Sequence, residues 1–201
     1  MKVLLINGSA KEKGCTFTAL SEVARGLNES GVETEILSLG TKPIADCMGC
    51  GKCRETGACV FGDIVNEIVE KAKSADGFVF GSPVYYAHAS GRLLSVVDRA
   101  FYSGGKEFAF KPGAAVVSAR RGGTTASLEV INKHFSINQM PIVTSNYWNM
   151  VHGNTPEEVR QDKEGMRTMY NLGRNMAWML NCIQAGPEHP QNEKESTNFI
   201  R

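Results

Sequence analysis

Short apolar runs alternate along the chain with segments whose apolar residues recur at helical spacing. Three continuous runs are typical of strands buried on both faces of a parallel sheet: residues 3–6, 78–80 and 114–117. The run at 78–80 is predicted to stop at Gly81 and Pro83, because glycine takes unusual backbone angles and proline lacks an N–H donor. Residues 32–36 alternate apolar and polar side chains, and Ile142 follows a proline. Both patterns predict edge strands.

Apolar residues at helical spacing predict helices between these strands. Examples are a helix from about Thr16 to Asn28, one near 64–72 with Asp63 at its start, and a long final helix rich in methionine. The order β-α-β-α-β-α-β-α-β-α predicts an α/β fold with helices on both faces of a parallel sheet. Because the second and fifth strands have edge character, we expect the strand order 2-1-3-4-5, a flavodoxin-like three-layer sandwich.

Composition agrees with a single globular domain. The chain has 201 residues, of which 42% are hydrophobic and 21% charged, and we predict one domain at 1–185 followed by a polar tail at 186–201. The formal net charge of +1 gives no indication of a nucleic-acid or membrane surface, and no apolar run reaches the length of a bilayer span. The first residues do not have the pattern of a signal peptide, so we expect a cytoplasmic protein with reduced cysteines.

Three loops follow buried strands and are expected to converge at the carboxyl edge of the sheet, where ligands bind in this fold: residues 8–15, 81–90 and 118–124. The first loop enters a helix, and Ser9, Gly14 and Thr16 offer hydroxyl and amide groups to a phosphate. Lys11 adds positive charge. The loop lacks both the GxxxxGK[ST] and the GxGxxG pattern, which favours a mononucleotide. Alternatively, Ser9 and Thr16 only cap the helix.

The second loop carries adjacent tyrosines, Tyr85 and Tyr86, which are candidates to hold a planar ring. A phosphate on the first loop and a ring on the second describe flavin mononucleotide (FMN), which this fold places at the same edge. The alternative is that both tyrosines begin the next helix and pack on the core. Tyr147 and Trp148, after the last predicted strand, either wall the same pocket or close the core.

The motifs NGSAKEKGCT, GSPVYYAHASG and RRGG resemble the flavodoxin-like NAD(P)H-dependent FMN reductase family over most of the chain, to about Leu180. The resemblance implies that the phosphate lies on Ser9, Gly14, Cys15, Thr16 and Phe17. It implies that the isoalloxazine lies on Pro83, Val84, Tyr85 and Tyr86, and that Arg120, Arg121, Gly122 and Gly123 border its pyrimidine side. Cys15 departs from the family, which usually has a small polar residue there; its thiol either has a lowered pKa or fills space.

A cysteine-rich loop at 40–62 precedes the second predicted helix and contains Cys47, Cys50, Cys53 and Cys59. A compact run of cysteines at x2 spacing is typical of iron–sulfur sites, whereas zinc more often takes two separated pairs. The loop resembles that of the iron–sulfur flavoproteins, a branch of the same family, which implies a [4Fe–4S] cluster. A zinc ion and free thiols stay open as alternatives.

The resemblance implies an FMN-dependent oxidoreductase that passes electrons from NAD(P)H to a quinone, a flavin or a similar small acceptor. Backbone amides between Val84 and Ala87 are candidates to stabilise charge on the reduced ring, and Arg120 and Arg121 to hold a dinucleotide phosphate. The resemblance also implies a homodimer or homotetramer. There are two rival functions. The first is a non-catalytic electron carrier or regulator-binding module; the formal net charge of +1 argues against a carrier, because carriers are normally acidic. The second is a zinc-stabilised interaction protein.

Overall fold

The computed structural model of the protein describes residues 1–193, 195, 197 and 199. The strands in this part of the chain are β1 Lys2–Asn7, β2 Glu33–Ser38, β3 Gly77–Tyr85, β4 His88–Ala89, β5 Gly113–Ala119 and β6 Met150–His152. The helices are α1 Cys15–Asn28, α2 Cys53–Thr56, α3 Ile64–Ala72, α4 Gly91–Gly104, α5 Thr124–Ile137, α6 Pro156–Gln161 and α7 Lys163–Ala185, with a 3₁₀ turn at Gly105–Glu107. None of the described helices is long and apolar enough to cross a membrane.

The sheet confirms the predicted strand order. Its main path runs β2-β1-β3-β5-β6, with every neighbouring pair parallel, so β5 is the predicted fourth strand and β6 takes the edge position that was predicted for a strand at Ile142. The short strand β4 is an addition, because it pairs antiparallel with the end of β3. The carboxyl ends of β1, β3 and β5 therefore lie side by side.

The sheet separates two hydrophobic cores, as alternation along buried strands requires. On one face, Val3 and Leu5 of β1 pack with apolar residues of α1 and α7. On the other face, Leu4 and Ile6 pack with residues of α3, α4 and α5. The result is the predicted arrangement of three layers, with the sheet in the middle.

Two predicted strand boundaries are wrong. β3 does not stop at Gly81 or Pro83 but continues to Tyr85. β1 pairs with β3 only as far as Gly81. Pro83 lies beyond the end of β1, so its missing N–H removes no hydrogen bond between these two strands. At the other edge, Ile142 makes only a single bridge to Gly113, and the last strand proper is β6. The chain between them leaves the sheet.

The predicted tail begins where α7 ends. Residues 186–193 contain no helix or strand. Residues 194, 196, 198, 200 and 201 of that tail lie outside the described residues. The division into one domain at 1–185 and a tail at 186–201 stays a prediction.

One buried arginine attaches the cysteine-rich segment 40–62 to the rest of the fold. The Arg99 side chain on α4 is 1% exposed, and its guanidinium donates to both carboxylate oxygens of Asp63 at 2.7 and 2.9 Å. It also donates to the Ala45 carbonyl at 3.1 Å and to the Cys59 Sγ at 3.2 and 3.3 Å. All the N–H donors of the guanidinium are thereby used. Arg99 connects both ends of the segment to one helix.

Asp63 joins this network to helix α3. As the N-cap of α3, its carboxylate accepts from the Val65 amide at 3.2 Å. Burial alone would raise the pKa of Asp63, but the hydrogen bonds from Arg99 and from the Val65 amide outweigh burial, so the pKa lies below its ordinary value. The ionised carboxylate therefore stabilises the folded state.

Helices α1 and α7 approach each other through two glycines. A Cβ atom on Gly26 would lie 2.3 Å from the Tyr170 carbonyl oxygen, and one on Gly173 would lie 2.2 Å from the Val23 carbonyl oxygen. Both obstacles are backbone atoms, which cannot move aside without shifting a helix. The contact therefore needs glycine at both positions.

We expect Gly26→Ala to lower the free energy of unfolding by about 2 kcal/mol, because the added methyl group forces the two helices apart. Urea denaturation followed by circular dichroism measures the change. Gly91→Ala is the matched control: Gly91 is also helical, but a Cβ there meets nothing within 4 Å, so its stability should not fall. Equal stability of the Gly26→Ala variant and the natural protein would contradict the close contact.

We expect Asp63→Asn to lower the free energy of unfolding at neutral pH by about 2 kcal/mol, because hydrogen bonds to a charged partner are lost. The lowered pKa means that the carboxylate contribution is complete above the ordinary value of 3.8 and is lost as pH falls through the lower pKa of the folded state. The difference between the two proteins should therefore shrink below about pH 4. Urea denaturation at several pH values measures it, with the exposed Asp46→Asn as control; a difference independent of pH would refute the assignment.

Candidate functional site

The three loops at the carboxyl edge of the sheet meet as predicted. The Gly8 amide donates to the Gly81 carbonyl at 2.8 Å, which joins the first loop to β3. The Ser90 Oγ donates to the Gly8 carbonyl at 3.0 Å. The hydroxyl groups of Thr16 and Ser118 lie 2.8 Å apart in a buried hydrogen bond, which joins α1 to the end of β5.

Helix α1 begins at this edge without a side-chain cap. Its N-cap is Gly14, and no side chain accepts a hydrogen bond from its first turn. Within the described residues, the amides of Thr16 and Phe17 have no hydrogen-bond acceptor. Free amides at a helix N-terminus attract an anion through their N–H groups and the helix dipole. The start of α1 therefore suits a phosphate group.

The alternative that Ser9 and Thr16 only cap the helix is wrong. Thr16 is bonded to Ser118, and the Ser9 Oγ accepts from the Lys11 amide at 3.1 Å. The Ser9 amide in turn donates to the Asn7 Oδ1 at 3.1 Å, so the loop is folded by its own side chains. Lys11 is exposed. These residues shape the loop in front of α1 and leave the helix amides free.

Cys15 fills space at the start of α1. Burial raises the pKa of its thiol, so the alternative of a thiol activated by the helix N-terminus is wrong and the group stays protonated at neutral pH. Its side chain packs at the margin of the core between α1 and the sheet. Cys15 therefore packs at the start of α1 as a protonated thiol.

The two tyrosines lie on a hairpin, not in a helix. Tyr85 ends β3 opposite His88, and Tyr86 follows with a φ of +62° and a fully exposed side chain. Helix α4 begins later, with the Ser90 hydroxyl accepting from the Leu93 amide at 3.3 Å. The alternative that the tyrosines begin a helix and pack on the core is therefore wrong. They stand exposed at the edge where α1 begins.

The third loop packs against this hairpin through one glycine. Gly123 has a φ of +90°, and a Cβ there would lie 2.8 Å from Val84 Cγ1 and 3.0 Å from the Ala87 carbonyl oxygen. Pro83 precedes these residues on β3 opposite Ser118. The preceding residues of the loop are exposed: Arg120, Arg121 and Gly122. The structure thus brings together the predicted phosphate loop, the tyrosine hairpin and the arginine loop, and their uncapped amides and close glycines fit FMN.

The cysteine-rich segment lines a separate cavity of about 380 Å³ with the four predicted ligands: Cys47, Cys50, Cys53 and Cys59. All are free thiols, and Gly49, Gly51 and Gly57 between them have positive φ. In residues 1–193 and the described part of the tail, no group of three or more Cys, His, Asp or Glu side chains is already arranged around a common centre. Four thiols in one cavity fit a cluster or zinc in ligand type.

Sequence reasoning missed Arg99, which contacts Cys59 directly. The available signal was a single arginine inside the apolar helical stretch LLSVVDRAF, since a buried charge requires partners. Tyr147 and Trp148 line a cavity beside α5, and both are more than half exposed, so neither of them closes the core.

Comparisons with known proteins agree with this geometry. The model of a family described as NADPH-dependent FMN reductase matches residues 1–155. An iron–sulfur flavoprotein of Methanocaldococcus jannaschii is 35% identical over 192 residues, which cover 92% of this chain and all of that protein.

Solved structures extend the likeness to the fold. RosB with bound 8-demethyl-8-formylriboflavin-5'-phosphate superposes with a TM-score of 0.72 at 12% identity, covering 100% of this chain and 92% of RosB. An archaeal flavodoxin gives a TM-score of 0.61 at 13% identity, covering 90% of this chain and 99% of the flavodoxin. The predicted flavodoxin-like fold is confirmed. The chain belongs to the NADPH-dependent FMN reductase family.

Proposed function

We propose that the protein is an FMN-dependent oxidoreductase that passes electrons from NAD(P)H to a quinone, a flavin or a similar small acceptor. The observation that carries this proposal is the uncapped start of α1 beside the tyrosine hairpin. The match to a family described as NADPH-dependent FMN reductase supports FMN as the bound cofactor and a reduced nicotinamide as the electron donor. The proposal requires no acid–base side chain at the ring, because the flavin itself carries the redox chemistry.

The residues at the carboxyl edge of the sheet have different roles in the proposed site. The amides of Thr16 and Phe17 bind the FMN phosphate, and Ser9 keeps the loop folded in front of them. The Thr16–Ser118 hydrogen bond holds the phosphate loop and the arginine loop at a fixed distance. When bound, FMN supplies the ring that exchanges electrons.

The exposed side of the site accepts the nicotinamide cofactor. Arg120 and Arg121 are both exposed directly after β5, where their guanidinium groups are free to bind a dinucleotide phosphate. The backbone from Val84 to Ala87 stabilises negative charge at the ring edge through its amides. Tyr86 is fully exposed, and we propose that a second copy of the chain covers this face in a homodimer or homotetramer.

We propose that the cysteine-rich segment holds a [4Fe–4S] cluster. The support is the shared cavity of four thiols and the similarity to a relative named iron–sulfur flavoprotein. Cys47, Cys50, Cys53 and Cys59 would be its ligands, and the cluster would add a one-electron site to the same domain as the flavin. A zinc ion and unligated thiols are the alternatives that the metal analysis below separates.

We expect Gly14→Asp to weaken FMN binding at least tenfold, because the new carboxylate occupies the α1 amides and repels the phosphate. Gly14→Asn is the matched control: it adds the same side-chain shape without charge, so its affinity should fall less. Riboflavin, which has no phosphate, should bind the natural protein and the Asp variant equally. Fluorescence titration of the apoprotein measures all of these affinities.

NADPH oxidation with a quinone acceptor should fall in Gly14→Asp at limiting FMN and recover at saturating FMN. An oxidation rate of zero in the natural protein with bound FMN would favour a non-catalytic electron carrier. Failure of the natural protein to bind FMN would refute the proposal.

Anaerobically purified protein should contain about four iron and four acid-labile sulfide per chain if the cluster is present. Cys47→Ser should lose most of this iron and the broad visible absorbance, because it removes one ligand. Cys182→Ser changes an exposed thiol outside the cavity and should retain both. Zinc without sulfide would support the zinc alternative, and the absence of both iron and zinc would support free thiols. Either result would contradict the proposed cluster and leave the FMN proposal intact.

A further inference from the structure

Two helices hold Cys59 in the wall of the cysteine-lined cavity. Asn66 on α3 holds its backbone: the Asn66 Oδ1 accepts from the Cys59 amide at 2.8 Å, and the Asn66 Nδ2 donates to the Cys59 carbonyl at 2.9 Å. Arg99 on α4 holds its sulfur, because Nε and Nη2 donate to the Cys59 Sγ at 3.3 and 3.2 Å. Both the backbone and the side chain of Cys59 are therefore fixed to the body of the domain.

The other three cysteines of the cavity have less support. Cys47 and Cys50 are exposed, and Cys53 is partly exposed at the start of the short helix α2. Among the residues that the structure describes, Cys59 is the cysteine whose sulfur accepts hydrogen bonds from a charged side chain. The four candidate ligands are therefore not equivalent, and Cys59 is the fixed one.

The guanidinium of Arg99 presents two forks to two acceptors. Nη1 and Nη2 donate to the two carboxylate oxygens of Asp63, and Nε and Nη2 donate to the single sulfur of Cys59. Such a fork suits a negatively charged acceptor. A cysteine that binds a metal is a thiolate, so a metal-bound Cys59 would supply that charge. The Phe61 ring lies 4.7 Å from the Arg99 Cζ and covers one face of the guanidinium.

Arg99 and Asp63 act with opposite sign on the electron affinity of a group bound at Cys59. Hydrogen bonds to a ligand sulfur and a nearby positive charge favour the reduced form of an iron–sulfur cluster, because that form carries one more negative charge. The Arg99 side chain is 1% exposed, so solvent screens its charge little. The Asp63 carboxylate, 2.7 Å from the Arg99 Nη2, offsets part of this charge.

We propose that Arg99 is a positioning residue that holds Cys59 as the fixed ligand of the cluster and raises the reduction potential of the cluster. Asp63 limits that increase through its negative charge. This inference rests on the proposed [4Fe–4S] cluster, and it is independent of the FMN proposal because the residues involved lie outside the flavin edge.

We expect Arg99→Gln to lower the midpoint potential of the cluster by at least about 59 mV, which is a tenfold change in a one-electron equilibrium. Arg99→Lys keeps the charge but loses the fork, so its potential should fall less. Asp63→Asn should raise the potential, although it weakens the same ion pair. The measurement is low-temperature electron paramagnetic resonance of the reduced cluster in anaerobic samples poised at set potentials, with iron determined in each sample.

Arg92→Gln is the matched control. Arg92 is on the same helix and also anchors the cysteine-rich segment, because its guanidinium donates to the carbonyls of Thr41 and Lys42. It does not line the cavity and is partly exposed. Its loss should therefore change the equilibrium less than about threefold, because solvent screens the charge.

Shifts of the same sign in Arg99→Gln and Asp63→Asn, or no shift in either, would overturn the proposal while the cluster stands. An equal shift in Arg92→Gln would overturn it too. A natural protein without iron and sulfide would remove the cluster and this inference together. Loss of iron from Arg99→Gln with FMN affinity retained would support the positioning role, and the potentials of Arg99→Lys and Asp63→Asn would then decide whether Arg99 also sets the potential.

Discussion

The close approach of β1 and β3 at Gly8 and Gly81 organises the functional edge of the molecule. The Gly8 amide bonds to the Gly81 carbonyl, and a Cβ on Gly8 would lie 2.7 Å from that same oxygen. The two loops that leave these strands must therefore start side by side. One continues into the amides of α1 and the other into the tyrosine hairpin, so a phosphate and its attached ring have adjacent binding surfaces because of a single backbone contact.

The order of strands and helices was predictable from the sequence because burial on both faces leaves a strong local signal. The predictions failed where long-range context overrides local preference. Pro83 is accommodated in β3 only because β1 has already ended. Residues 142–149 are apolar at their start, yet only Ile142 makes a bridge to the sheet, at Gly113, before the chain leaves it. Neither fact can be read from the residues themselves.

In the candidate site, too, the features that depend on local sequence were predictable and those that depend on long-range contacts were not. The phosphate loop was predictable because a loop entering a helix creates free amides through local geometry alone. The network of Arg99 was not, because its acceptors come from positions 45, 59 and 63, which only the fold brings to α4. Chemistry confined to one segment is visible in a sequence, and chemistry shared between segments is not.

The packing of α7 against α1 has a consequence for biosynthesis. The apolar face of α1 includes Leu20 and Leu27, and its cover includes Leu172 and Met176 of α7. This cover does not exist until residues 163–185 have left the ribosome, although α1 is synthesised early. The helix whose amides face the phosphate therefore reaches its final position only after α7 has been synthesised, and the cofactor is expected to associate after that point.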